Sequence, residues 1–202
     1  MQRLRIVFCL SSSIAFATFA SFTLADNDPK PVASKQIIES KKPLHKGDLV
    51  GSFRVTKVAG AVEDGVEPGT ELCYRCRYGS RPMVMVFARQ TGGELPKLVE
   101  ELDKAVDTNK EAQLRGLITL IGEDVAKVKE DANRVAEKSG AKSVAVVVAK
   151  ENETGPTNYK LNQKAEVTVV VASDSLVVAT HTFDVAKIDI ATVIKEVKAM
   201  LN

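Results

Sequence analysis

The chain has 202 residues, with 28 lysines and arginines against 26 aspartates and glutamates, and a formal charge of +2. So even a balance argues against a basic face of the kind that draws a protein to nucleic acid or to an anionic membrane. Two histidines and three cysteines leave few soft ligands for a protein-built metal centre.

Residues 1–25 read as a secretory signal: Arg3 and Arg5, then the small apolar run IVFCLSSSIAFATFASF, then Thr23 and Ala25 placed for cleavage after Ala25. The acidic DNDP that follows is unlike a basic stop-transfer cluster, so cleavage is expected over anchoring, and Cys9 is lost with the signal. Removing these 25 of 202 residues leaves 177, the size of one domain, with 26 basic and 26 acidic residues once Arg3 and Arg5 are gone. The expected destination is periplasmic or secreted, where two remaining cysteines persist as a disulfide, with no membrane contact after cleavage. Residues 26–46, DNDPKPVASKQIIESKKPLHK, are polar and interrupted by Pro29, Pro31 and Pro43, and are predicted to be a flexible leader to a domain spanning 47–202.

In the domain, GSFRVTKVAG alternates as a half-buried strand and AVEDGVEPGT as a turn-rich connection. In ELCYRCRYGSRP, Leu72, Tyr74, Cys76 and Tyr78 share one parity, which predicts a strand and then a turn at YGSRP. PMVMVFAR is a continuous apolar run suited to a central strand covered on both faces. Leu95, Leu98, Val99, Leu102 and Val106 recur at helical spacing, with Pro96 tolerated in the first turn. LRGLITLIG predicts a strand, Val125, Val128, Ala132 and Val135 a helix ending near Gly140, and SVAVVVAK another buried strand. After the polar ENETGPTNYKLNQK, EVTVVVAS and LVVATHTF are strands about an SDS turn. Ile190 to Leu201 then form a closing helix capped by Asp189.

This order of elements, with TVVVASDSLVVATHTF and the following helix as its best local anchor, resembles the thioredoxin-like fold in its exported peroxiredoxin-like and thioredoxin-like members. The resemblance covers about residues 47–202. It implies an α/β fold, a central mixed sheet flanked by helices, with an extra N-terminal β-hairpin. In that family the redox cysteine follows the central strand and opens the next helix, and here that place reads ARQTGGELPKL, without cysteine. The family's cis-proline precedes a threonine, whereas Thr168 follows Val167. Neither role carries over.

The chemistry therefore rests on Cys73 and Cys76. In a straight strand residues three apart lie about 10 Å apart, beyond the roughly 4.4–6.8 Å that a disulfide spans, so a bond between them requires a turn or bulge. If 71–78 folds as a hairpin on 82–89, Cys73 comes near Phe87 and the end of the central strand, beside the vacated family site. Arg75 and Arg77 would then help to stabilise a thiolate. Three readings stay open. One is a divergent thiol–disulfide oxidoreductase, with Cys73 and Cys76 as catalytic residues and protein thiols or disulfides as partners. The second is a structural disulfide in a non-enzymatic domain acting in protein interaction. The third is a metal site of Cys73 and Cys76 with His181 as third ligand; His45, in the leader, is a weaker candidate, and one CxxC alone is a poor zinc signature. No cofactor is expected. SDS with His181 and Asp184 lacks a nucleophile elbow, TGG lacks the lysine and spacing of a phosphate loop, and NET at 152–154 fits a glycosylation sequon. The cluster Arg75, Arg77 and Arg81 is the one local exception to the neutral charge balance.

Overall fold

A computed structural model describes residues 43–202. The signal expected at 1–25 and the leader up to residue 42 lie outside the described residues. The last leader residues do pack: Leu44 is buried, and the Gly47 N–H donates to Val177 O at 2.8 Å.

The elements in order are β1 (Val55–Gly60), β2 (Glu71–Leu72), α1 (Tyr74–Tyr78), β3 (Met83–Ala88), α2 (Leu95–Thr108), β4 (Arg115–Leu120), α3 (Val125–Ser139), β5 (Ala145–Ala149), β6 (Val167–Ser173), β7 (Leu176–Phe183) and α4 (Ile190–Leu201). One seven-stranded sheet runs β2-β1-β5-β4-β3-β6-β7, with β3, β4 and β5 parallel and the other pairings antiparallel. The mixed sheet, flanking helices and N-terminal hairpin match the architecture expected from the sequence.

From β3 to β4 to β5 the chain steps toward the same edge of the sheet each time. Parallel crossovers are right-handed, so both connecting helices fall on one face. There α2, α3 and the returning α4 bury Val84, Val86 and Ala88 of β3 against Leu98, Leu102, Val135 and Val193. The opposite face carries Met83, Met85 and Phe87. It receives no long helix, and short pieces cover it: α1 through Tyr74 and Tyr78, the entering segment through Leu44, Val50 and Phe53, and the 157–161 connection through Tyr159 and Leu161. Phe53, Phe87 and Tyr159 form a triangle of rings with centroids 4.9–5.6 Å apart, in the tilted and edge-on arrangements that aromatic pairs favour.

The strand expected over 71–78 is corrected: only Glu71 and Leu72 are extended, they pair with β1, and 74–78 is helical. No hairpin on 82–89 forms, because β4 and β6 occupy both edges of β3 along its whole length. The parity signal was ambiguous at its root. A four-residue step from Tyr74 to Tyr78 keeps one face in a strand and also in a helix. Cys76, two residues from each tyrosine, separates the two cases, and it is exposed while both tyrosines are buried.

The β6–β7 turn is two residues long, and Asp174 (φ 52°) and Ser175 (φ 67°) both lie in the left-handed region that this turn type demands. Neither is glycine. Ser175→Gly should therefore raise stability by about 0.5–1 kcal/mol, read as a higher urea midpoint at unchanged slope; a lower midpoint would contradict the turn assignment.

Candidate functional site

Cys73 ends β2 and serves as the N-cap of α1, with extended dihedrals (φ −111°, ψ 97°) and its sulfur accepting the Cys76 N–H at 3.1 Å. One helical turn brings the Cα atoms of Cys73 and Cys76 to 5.3 Å, inside the bonding range, and the two sulfurs are joined. The strand geometry that kept them apart does not exist. The turn also places Cys73 at a helix start, a position that favours a thiolate. Cys76 is exposed and Cys73 half-buried.

The neighbouring arginines are not where the hairpin reading put them. Arg75 donates from Nη1 to Gly79 O at 2.8 Å and from Nε to Val50 O at 3.3 Å, and Arg77 donates from Nη2 to Asp64 O. Both guanidiniums thus hold backbone carbonyls, and the described donor to Cys73 Sγ is the Cys76 amide.

Beneath α1 lies a polar network that the sequence reading missed. Lys57, 3% exposed, donates to Asp64 Oδ1 at 2.7 Å, Val66 O at 2.7 Å and Ala61 O at 3.1 Å. The Tyr74 hydroxyl donates to Asp64 Oδ2, and the Val66 N–H donates to Oδ1 at 2.8 Å. Burial pushes the Asp64 carboxyl up, but Lys57, Tyr74 and the Val66 N–H together outweigh it and hold the group below the usual carboxylate range. Burial, reinforced by the Asp64 charge, pushes the Tyr74 phenol far above its ordinary value, so it stays a donor. Burial does the same to Tyr78, whose hydroxyl reaches Gly116 O at 3.4 Å. The signal was present in parity: Lys57 falls on the inward face with Phe53 and Val55.

The vacated family place borders a cleft of about 290 Å³ lined by Ala88, Arg89 and Thr91. After β3, Arg89 donates from Nη1 to Glu153 O at 2.8 Å and from Nη2 to Thr154 O at 2.7 Å, and burial lowers its pKa from the ordinary value. At the start of α2 the Glu94 N–H donates to Val185 O at 2.8 Å and the Leu95 N–H to Gly92 O at 3.2 Å. Where a cis-proline would stand, Val167 is paired in the sheet with Ala88 and Phe183, and next to it Glu166 accepts the Val185 N–H at 2.7 Å. The sequon Asn152 is committed too, its amide donating to Gly122 O and Glu123 O.

The cysteines lie away from this place. Leu72 is level with Val55 and Ala149 in the ladders, and Val148, Leu120 and Ala88 are level with one another. The pair thus begins near the height of the end of β3 but four strands across, roughly 19 Å at the usual strand spacing. The proximity expected from the hairpin is corrected accordingly.

His181 is not brought to the pair. It sits on β7, at the edge of the sheet opposite β2, and pairs with Val169 of the helix-covered core, whereas α1 covers the other face. Its Nε2 is buried without a hydrogen-bond partner among the described residues, and its ring stacks on Phe183 at 6.0 Å. His45 is exposed in the turn closed by Asp48. No group of three or more histidine, cysteine or carboxylate residues converges on a metal position among the described residues. None of the described helices is long and apolar enough to cross a membrane.

No protein-family model and no curated protein matches the chain. Solved structures do. A protein described as thiol:disulfide interchange protein DsbE from Chlorobium tepidum shares 15% identity and a TM-score of 0.57, covering 79% of this chain and 99% of that one. Mycobacterium tuberculosis AhpC gives 12% identity and 0.59, covering 80% and 100%, and a Plasmodium vivax 2-Cys peroxiredoxin gives 14% and 0.55, covering 78% and 82%. The fold is thioredoxin-like, and at these identities the likeness establishes the fold alone.

Asp64→Asn should cost up to about 3 kcal/mol at pH 7, the low end for breaking a buried pair, because Asp64 is half-buried and Lys57 keeps the carbonyls of Ala61 and Val66. Because the folded-state pKa of Asp64 lies below the unfolded value, its contribution is complete above about pH 5 and fades as pH falls through and below about 4. Urea unfolding of both proteins at several pH values should show the gap between them closing toward pH 3; a constant gap would mean that the charge plays no part.

Proposed function

We propose that the protein is an exported, divergent thiol–disulfide oxidoreductase whose exchanging pair is Cys73 and Cys76, working from α1 instead of from the helix after the central strand. The observation that supports this best is the cap geometry: Cys73 Sγ accepts the Cys76 N–H at 3.1 Å at the start of a helical turn, with Cys76 exposed beside it. An amide pointed at sulfur stabilises the thiolate form on which exchange depends.

In the reducing direction the Cys73 thiolate attacks one sulfur of a substrate disulfide and forms a mixed disulfide, and the other substrate sulfur leaves as a thiolate. Cys76, deprotonated, then attacks the Cys73 sulfur, closes the Cys73–Cys76 bond and releases the second substrate thiolate. The substrate gains two electrons and the protein loses two, so a further dithiol must reduce the pair before another turnover. The 1–25 signal and the leader fit an oxidising compartment, where the pair would be met in its oxidised form.

The size of the loop favours this reading over a staple. A disulfide across a four-residue loop contributes only about 2 kcal/mol by loop-closure entropy, less than bridges that close long loops. A purely structural pair, in a domain acting by protein interaction, is the competing reading and is supported by the absence of a cysteine after β3 in ARQTGGELPKL.

With dithiothreitol as electron donor, the protein should accelerate insulin reduction, Cys73→Ser should abolish the acceleration, and Cys76→Ser should accumulate mixed disulfides detectable by mass spectrometry. An inert pair with a reduction potential below about −300 mV would identify a structural bridge instead.

A further inference from the structure

A cleft of about 710 Å³ opens at the N-terminal ends of the three parallel strands, on the side of the sheet away from the place where the family keeps its chemistry. Five cations from five separate parts of the chain border it: Arg77 on α1, Arg81 before β3, Lys110 after α2, Arg115 opening β4 and Lys142 before β5. We propose that this cleft binds a small multivalent oxyanion of the phosphate or sulfate class.

The charge balance decides the sign. Three carboxylates also border the cleft, but Asp64 is neutralised from beneath by Lys57 at 2.7 Å, and Asp107 pairs with Lys110 at 2.7 Å. That leaves Arg77, Arg81, Arg115 and Lys142 facing Glu63 alone, an excess of three positive charges. A bland explanation is that cations collect here to offset helix C-termini, since α2 and α3 both end at this side. Each terminus carries only about half a negative charge, so two of them leave an excess of roughly two.

The donors are also free to act. The side chains of Arg115 and Lys142 make no hydrogen bond or ion pair among the described residues, and the nearby Asp103 spends its Oδ1 on the backbone N–H groups of Lys142, Ser143 and Val144 at 2.7–2.9 Å. Arg77 commits only Nη2, to Asp64 O. Arg81 commits Nε to Gln113 Oε1 at 2.7 Å and Nη1 to the carbonyls of Arg77 and Tyr78, which fixes its plane and leaves Nη2 available. Three guanidiniums around one concavity match tetrahedral oxyanions, which accept paired N–H donors, better than they match a point-like halide. The volume lies within the usual range for small-ligand sites. This proposal is independent of the redox reading, although Arg77 follows Cys76 directly.

Isothermal titration of the full chain with pyrophosphate, inorganic phosphate, sulfate and citrate tests it. Saturable binding at one site per chain is expected for pyrophosphate, with phosphate and sulfate separating the two ester sources. Arg115→Gln and Arg77→Gln should each weaken it about tenfold or more, Arg115→Lys should weaken it less, and Lys195→Gln, an exposed lysine on α4, should leave it unchanged. Arg77 is exposed at the surface of α1, so its variant carries the test if Arg115→Gln disturbs the fold. Absence of saturable pyrophosphate binding up to about 10 mM, equal loss in Lys195→Gln, or citrate binding as tightly as pyrophosphate would each overturn the proposal.

Discussion

The constraint on which the rest of this structure depends is the direction of its crossovers. Because β3, β4 and β5 succeed one another toward one edge, right-handed connections place α2, α3 and α4 together on one face and leave the other without a long helix. That second face carries Met83, Met85 and Phe87 and cannot stay open to water. It is closed by α1, the entering segment and the 157–161 connection. The five-residue helix that Cys73 caps is thus a covering piece first, anchored by two tyrosines, and Cys76 lies on the side that faces away.

This arrangement separates anchoring from reactivity within one helical turn. Tyr74 and Tyr78 point inward, Tyr74 to the Lys57–Asp64 pair and Tyr78 to Gly116 O, while Cys76 faces solvent. The disulfide is a minor contributor to holding α1 in place beside two buried aromatic side chains, each worth a few kcal/mol on burial. A pair that is not needed to hold its own helix is free to open and close. The same helix presents Arg77 to the cleft at the strand N-termini, so one short element borders both the disulfide and a cationic concavity.

The place after β3 that the fold usually employs carries backbone-anchoring contacts. Arg89 bonds the carbonyls of Glu153 and Thr154, Glu166 holds the Val185 amide, and the first amides of α2 are engaged by Val185 and Gly92. The pair instead lies four strands across the sheet, where the capping turn of α1 offers an amide to sulfur.

The sequence by itself determined the elements whose period is unmistakable. The buried run of β3, the helical spacing of α2 and α3, the two-residue turn between β6 and β7, and the Asp189 cap of α4 were all legible, because burial on one face writes its period directly into residue order. It also isolated Cys73 and Cys76 as the residues to watch. It could not decide the conformation of 71–78, where a four-residue step satisfies strand and helix alike. Only the tertiary structure settled that, by occupying both edges of β3 and leaving an uncovered face that two tyrosines one helical turn apart could fill. The cationic cleft belongs to the same category: its members come from segments distant in sequence, and strand order, which no local pattern records, brings them together. The Lys57–Asp64–Tyr74 network is local, formed across the connection between β1 and α1, and the inward parity of Lys57 announced it.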